Sequence, residues 1–325
     1  QNSEPDFSPL SWKRNISYLK EAMRYIQEKG PLVFFFRKEM VSTFQQASKG
    51  SLLHGSQLYD VIQFLGLVTS IYCYFQKAET KSIELKDLYE SLVKEEAVEK
   101  QLKNMVDSQG EVLDSASVEL RNIRSSIRRN EQAIASTAQE FIAKHSDKVV
   151  DGVITIRANR TLILVKSGYK NSFGGYVYGD SSSGLASYVE PAVLVSLNNQ
   201  RLALYEAQEE EVGRILRMGS DLVQGIAHQG LANCSTLQIL DQIFAKADWS
   251  IQHDACVPCL NEKQELYLKK VRHPLIDSKK VVANTYTLKE PHHMILITGP
   301  NTGGKTVSLK VIGLSILLSV CGIGV

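Results

Sequence analysis

From Ser82 to Lys148 the chain has no proline and a single glycine, Gly110, and at Asp151 the spacing of its apolar residues changes from helical to alternating. Within that proline-free run, "SASVELRNIRSSIRRNEQAIASTAQEFIAKH" reads as one long amphipathic helix, with Leu120, Ile123, Ile127, Ala133 and Phe141 recurring at helical spacing. After Asp151, "GVITIR" and "TLILVK" flank "ANR", which predicts two strands joined by a three-residue connection. "GGYVYGDSSSGLASYVEP" continues with short strands and a Ser- and Gly-rich loop, so 151–190 forms a small β unit. Glu190-Pro191 then opens the next helix, with Pro in its first turn and Glu210 paired to Arg214 at four-residue spacing. Helix, β unit and returning helix is the layout of an arm. Each helix of about thirty residues is roughly 45 Å long at 1.5 Å per residue.

Before the arm, the sequence alternates helical periods with short breaks. "SWKRNISYLKEAMRYIQEKG" opens with a Ser cap and closes with Gly30 ahead of Pro31. "LVFFFR" is a short apolar run, strand or buried helix, which periodicity does not decide. "SQLYDVIQFLGLVTSIYCYF" is apolar nearly all round, as in a core helix. With 325 residues, 43% hydrophobic and 22% charged, the chain is long enough for two or three globular domains and too apolar for global disorder. A net charge of +2 leaves any basic surface to be local. Five scattered cysteines fit a reducing compartment better than a disulfide framework. The first residue is Gln with no leader-like run behind it, and the longest apolar run, from Val311, is fifteen residues, short of a bilayer span. The expectation is a cytoplasmic protein with no membrane partner.

The chemistry sits at 294–306. "MILITGPNTGGKT" satisfies G-x-x-x-x-G-K-[ST] from Gly299 to Thr306, with an apolar strand (Met294 to Thr298) expected before it and an apolar helix after it. In such a loop, Gly299, Pro300, Asn301, Thr302, Gly303 and Gly304, the glycines let backbone N–H groups converge on phosphate, at the N-terminus of the helix behind them. Lys305 would reach the β- and γ-phosphates of ATP, and the Thr306 hydroxyl would hold Mg²⁺. Asn301 has a side-chain amide able to reach phosphate or an opposing subunit.

"GPNTGGKTVSLK", with "VRHPLID" ahead of it, resembles the MutS family of ATPases, and more narrowly its bacterial endonuclease or recombination-suppressor branch. "GEVLDSASVELRNIRSSIR", "VITIRANRTLILVK", "GGYVYGDSSSGLASYVEP" and "LNNQRLALYEAQEEEVGRIL" extend the likeness. It covers nearly the whole chain from about Ala47. The resemblance implies a mostly α protein with a small β unit on long lever helices, followed by a partial α/β P-loop ATPase domain. It divides the chain into a helical core at 1–110, lever helices with a β clamp unit at 111–245, and the first part of the ATPase domain at 246–325. It further implies homodimers with ATP and Mg²⁺ at the ATPase interface, acting on branched or duplex DNA or on collided ribosomes and their rRNA. His273 of "RHP" lies near the nucleotide in relatives. The acidic residues that position the attacking water, the signature loop supplied in trans and a nuclease-like domain would all follow Val325. The chain therefore reads as C-terminally truncated, with a part-built ATPase prone to aggregate.

Lesser signals stay open. Arg121, Arg124 and Arg128 line one face of the long helix, as a solvated surface or as a stripe tracking nucleic-acid phosphates. His253, Cys256 and Cys259 stand at three-residue steps, as free thiols or as part of a zinc site. His273 is a nucleotide neighbour or a turn fixed by His-Pro. Ser181 to Gly184 is a mobile turn or a backbone contact to nucleic acid. A non-hydrolysing nucleic-acid or ribosome binding module, with an incomplete ATP site, is the competing reading of the whole. A coiled-coil ATPase half of the chromosome-maintenance type is set aside, because that class carries its phosphate loop at the N-terminus.

Overall fold

The computed structural model describes residues 5, 7–35, 39–77, 82–182, 184–261, 263, 265–277, 279–299 and 304–325. The order of elements is α1 (Pro9–Lys29), α2 (Met40–Ser48), α3 (Gly55–Gln76), α4 (Lys86–Glu90), α5 (Glu96–Lys103), a 3₁₀ turn (Asp114–Ala116), α6 (Val118–Lys144), β1 (Val149–Arg157), β2 (Arg160–Lys166), a second 3₁₀ turn (Ser167–Tyr169), β3 (Tyr176–Asp180), β4 (Ala186–Glu190), α7 (Ala192–Gln252), β5 (Leu266–Val271), β6 (Asn284–Leu288) and α8 (Lys305–Val320). Helix predominates, with one small antiparallel sheet in the order β1-β2-β4-β3 and a separate pair, β5-β6. The chain forms two compact units, Gln1–Ser42 with Gln63–Glu96 and Ala227–Val325, and Thr43–Ile62 with Ala97–Ile226.

In the first unit, α1 starts three residues earlier than a cap at Ser11 implies. Pro9 takes the first helical position behind Ser8, and Gly30 ends the helix at φ 82°. Its inner face meets an aromatic cluster, in which Phe75 packs edge-on to Tyr25 (5.1 Å) and stacks on Tyr89 (4.7 Å). Glu21 on α1 closes the start of α4. Its carboxylate accepts from Ser82 Oγ (2.6 Å) and from the backbone N–H groups of Ile83, Glu84 and Leu85 (2.8, 3.1 and 2.9 Å). Burial raises its pKa, and those hydrogen bonds more than offset the effect, so the net value is lowered. "LVFFFR" is neither of the expected alternatives where it is described: residues 32–35 form no helix or strand, and Phe36 and Arg37 lie outside the described residues. Val33 and Phe35 face solvent, while Phe34 leans on Phe244 at 6.0 Å.

One helix among the described residues, α3, is long and apolar enough to cross a membrane. Leu58, Val61, Phe64, Leu65, Val68, Ile71 and Phe75 along it are buried in protein.

In the second unit, α6 is capped by the Ser117 hydroxyl, which accepts from the Leu120 N–H at 2.9 Å. Its inward stripe is Leu120, Ile127, Ile134 and Phe141, one residue every seven, with Asn130 and Ala138 between them. Ala133 and Ile123 are half-buried at the margin, so Ile134 replaces Ala133 in the expected pattern. One face of the sheet closes over Ala138, Phe141 and Leu194 through Val149, Ile163, Val165 and Val189. The β1–β2 connection is tighter than expected. Arg157 pairs with Arg160, leaving a two-residue turn in which Ala158 (φ 46°) and Asn159 (φ 58°) both take left-handed backbone. That is the turn whose twist matches paired strands.

α7 runs unbroken for 61 residues, through the position near 245 where the ATPase domain was expected to begin. A strand at Met294 to Thr298 is not formed, because nothing among the described residues pairs with it. Met294 and Leu296 are 81% and 82% exposed.

Candidate functional site

The start of α8 carries the phosphate-loop sequence. Gly304 caps the helix in left-handed backbone (φ 81°, ψ 9°), a conformation glycine takes without steric cost, and a Cβ there would meet open space. The first backbone bond of the helix runs from Ser308 N–H to Gly304 O at 2.9 Å. The N–H groups of Lys305, Thr306 and Val307 therefore precede the helical ladder, as anion-binding helix starts require. Lys305 is half-buried and Thr306 is exposed. Gly299 has φ 147° with free space around it. Pro300, Asn301, Thr302 and Gly303 lie outside the described residues. A glycine cap in left-handed backbone, a helix N-terminus, a lysine and a hydroxyl are the groups that could hold the phosphates and Mg²⁺ of a nucleotide here.

His273 follows β5 and shapes a turn. Its carbonyl accepts from Ile276 N–H at 3.1 Å, and its Nδ1 accepts from Leu275 N–H at 3.3 Å. Just before it, Lys270 takes φ 54° where the β5–β6 register slips between Leu268 and Val271.

The three arginines of α6 do not form a uniform stripe. Arg124 is half-buried and donates to Val112 O (2.8 Å), Asp114 Oδ1 (2.6 Å) and Gln208 Oε1 (3.3 Å). Arg128 is exposed and 3.7 Å from the other oxygen of Asp114. The Arg124 hydrogen bond leads in holding the Asp114 carboxyl below its ordinary range. Arg121 is exposed, with no side-chain partner among the described residues. Asp114 thus neutralises much of the face.

No three His, Cys, Asp or Glu side chains converge as a metal site among the described residues. Cys256 and Cys259 are exposed free thiols, and His253 stacks on Trp249 at 4.1 Å. Of the Ser181–Gly184 loop, Ser183 lies outside the described residues, and Gly184 (φ 70°) returns its N–H to Ser181 O at 2.9 Å.

No family model matches the chain. Known proteins do. It is 36% identical over 289 residues, 88% of its length, to the endonuclease MutS2 of Pediococcus pentosaceus. It is 31% identical over 325 residues, 98% of its length, to the putative endonuclease MutS2 of Bacillus subtilis, and 38% identical over 241 residues to the endonuclease MutS2 of Clostridioides difficile. The chain is a MutS2-family homologue. It spans 37% of the Pediococcus protein, 41% of the Bacillus protein and 30% of the Clostridioides protein.

The stretch "LNNQRLALYEAQ", which carries part of the MutS2 likeness, holds residues whose role the sequence left unread. Asn198 is fully buried; its amide donates to Thr161 O (3.0 Å) and accepts from Thr161 N–H (3.0 Å). It also donates to Glu190 Oε1 at 2.8 Å. Glu190, buried as well, takes the Arg160 guanidinium at 2.7 Å and the Tyr178 hydroxyl at 3.0 Å. Arg201 reaches back to Asn159 O and to Thr161 Oγ1 (3.2 Å). The signal was present. Leu194, Asn198 and Arg201 fall at i, i+4 and i+7, the spacing of one helix face, so polar residues interrupt a buried stripe. These groups position the β unit on α7.

Proposed function

We propose that the chain is the nucleotide-gripping and DNA-engaging part of a MutS2-type ATPase of the cytoplasm. In this reading ATP and Mg²⁺ at residues 299–306 drive a homodimeric clamp to close on branched or duplex DNA. The observation that carries it is the coincidence of G-x-x-x-x-G-K-T with the open, glycine-capped first turn of α8, in a homologue of MutS2 proteins. Lys305 would hold the β- and γ-phosphates and Thr306 the Mg²⁺, with the first-turn N–H groups completing the cradle. Bound ATP supplies the binding energy that biases one clamp state over another, and its hydrolysis resets that bias.

Fluorescence titration with an ATP analogue and Mg²⁺ tests the site. Lys305→Ala should weaken binding at least tenfold in a protein that melts at the same temperature. Unchanged affinity sinks the reading of the loop. Filter binding of duplex and branched DNA over a salt series, with ribosomes as a separate arm, tests the target. A steep fall in affinity with salt is expected for DNA, and binding to ribosomes alone moves the target to RNA and its proteins.

A further inference from the structure

The sheet has a second face, turned away from the Phe141–Leu194 core. The register names its occupants. Across β1 and β2, Arg157 lies opposite Arg160 and Thr155 opposite Leu162; across β2 and β4, Leu164 lies opposite Tyr188; across β4 and β3, Glu190 lies opposite Tyr176. Side chains alternate between faces, and Ile163, Val165 and Val189 point to the core. Arg157, Tyr188, Tyr176 and Tyr178 therefore share the outer face. The Arg157 guanidinium carbon lies over the Tyr188 ring, 3.6 Å from its centroid. Tyr176 is 59% exposed, and Tyr178 is 38% exposed although its hydroxyl is held by Glu190.

Charge separates this face from an ordinary tyrosine-rich surface. Asp180 and Glu190 already have cations, Lys170 at 3.8 Å and Arg160 at 2.7 Å. Among the described residues Arg157 has no carboxylate partner, and it rests on an aromatic ring instead. Its positive charge has no carboxylate among them to match it and sits over an aromatic ring.

We infer that this face is a stacking platform for the unpaired bases of single-stranded DNA. Exposed aromatic faces call for a flat, apolar partner, and an unmatched guanidinium calls for an anion. A nucleotide with a free base offers both, whereas a duplex hides its base faces inside the stack. The tyrosines stack on successive bases without regard to sequence. Arg157 adds cation–π contact and a phosphate ligand. The inference rests on the nucleic-acid reading above and narrows it to the unpaired segments of branched DNA.

The test is fluorescence anisotropy of the full chain with three labelled probes of equal length: oligothymidylate DNA, duplex DNA and oligouridylate RNA. The single strand of DNA should bind more tightly than the other two. Tyr176→Ala and Arg157→Ala should each weaken that binding about tenfold or more, from the value of one stacked base, and leave duplex affinity alone. Tyr176→Phe, which keeps the ring, should bind as the parent does. Equal affinity for single strand and duplex, preference for the RNA, or no effect of Tyr176→Ala overturns the platform. If duplex binds and the single strand does not, only the platform falls. If neither binds, the nucleic-acid reading falls and takes the platform with it. Thermal melts of each variant keep folding defects apart from lost contacts.

Discussion

The side-chain amide of Asn198 bonds both backbone groups of Thr161, donating to its carbonyl and accepting from its N–H, each at 3.0 Å. In the β2–β4 register Ile163 pairs with Val189, so Thr161, two residues along on the same face, falls opposite residue 191. That residue is Pro191, which has no N–H to give. A helix side chain therefore stands in for the strand that ends there. The same device recurs in the other unit, where the Asn233 amide of α7 bonds Val93 N–H (3.0 Å) and Val93 O (2.9 Å).

Asn198→Ala should therefore cost more than a surface helix substitution. It strips partners from two buried backbone groups and from Glu190, a loss of about 2–4 kcal/mol. Urea unfolding measures it, with Asn199→Ala as a neighbour that loses one exposed bond to Arg160. A deficit no larger than that of Asn199→Ala would refute the ladder role.

Glu211 makes the chain sensitive to acid. Two hydrogen bonds from Arg214, both 2.7 Å, and one from the Ser117 hydroxyl at 2.6 Å surround its carboxylate, and the Arg214 bonds lead in lowering its pKa from 4.5 to about 2. A depressed folded-state pKa means stability that is whole above the unfolded value of 4.5 and lost as pH falls toward 2. Glu21 adds loss of the same sign. Glu211→Gln should flatten the fall of the melting temperature between pH 5 and about pH 3, and an unchanged slope counts against the pair.

Two glycines predict opposite signs. A Cβ on Gly55 would sit 1.9 Å from the Gly110 carbonyl oxygen, because the start of α3 touches the turn at 107–110 backbone to backbone. Gly55→Ala should destabilise by about 2–3 kcal/mol. Gly225, inside α7, has nothing within 4 Å of a built Cβ. Gly225→Ala should stabilise by about 0.5–1 kcal/mol through helix propensity. Denaturant midpoints of the pair check both.

The thiols should label in two groups. Cys256 and Cys259 are exposed, while burial pushes the Cys234 thiol up to about 12. An aromatic disulfide reagent at pH 8 should consume Cys256 and Cys259 at once and reach Cys234 only on unfolding. Rapid modification of Cys234 in the native protein, located by peptide mapping, contradicts its burial.

Residues 151–190 were legible because strand alternation and turn residues act over a few positions. Even so, the turn was read one residue too long. Arg160 looks like a loop residue in sequence, and only its pairing with Arg157 and its contact with Glu190 place it in the sheet. The strand expected at Met294 to Thr298 had the right composition, but a strand exists only when another pairs with it, and none among the described residues does. The phosphate-loop motif is legible as a pattern of glycines and lysine, and the structure describes only its ends, Gly299 and Gly304–Thr306. Asp114 was not, since nothing local says that an acid ten residues before Arg124 will fold back on it. Asn198 and Arg201 pass for ordinary helix polar residues until their spacing from Leu194 is counted.

Arg201 grips the carbonyl of Asn159 while Asn198 grips Thr161, so two neighbouring positions on one side of α7 hold the tip and the first strand residues of the hairpin. In mechanical terms the hairpin is keyed to the helix. A roll of α7 by one residue step, about 100°, would pull both side chains off their acceptors at once, so small rotations of the helix carry the hairpin with them. A probe placed at Ala158, on the turn itself, would report the angular setting of the helix from a position outside its packed core.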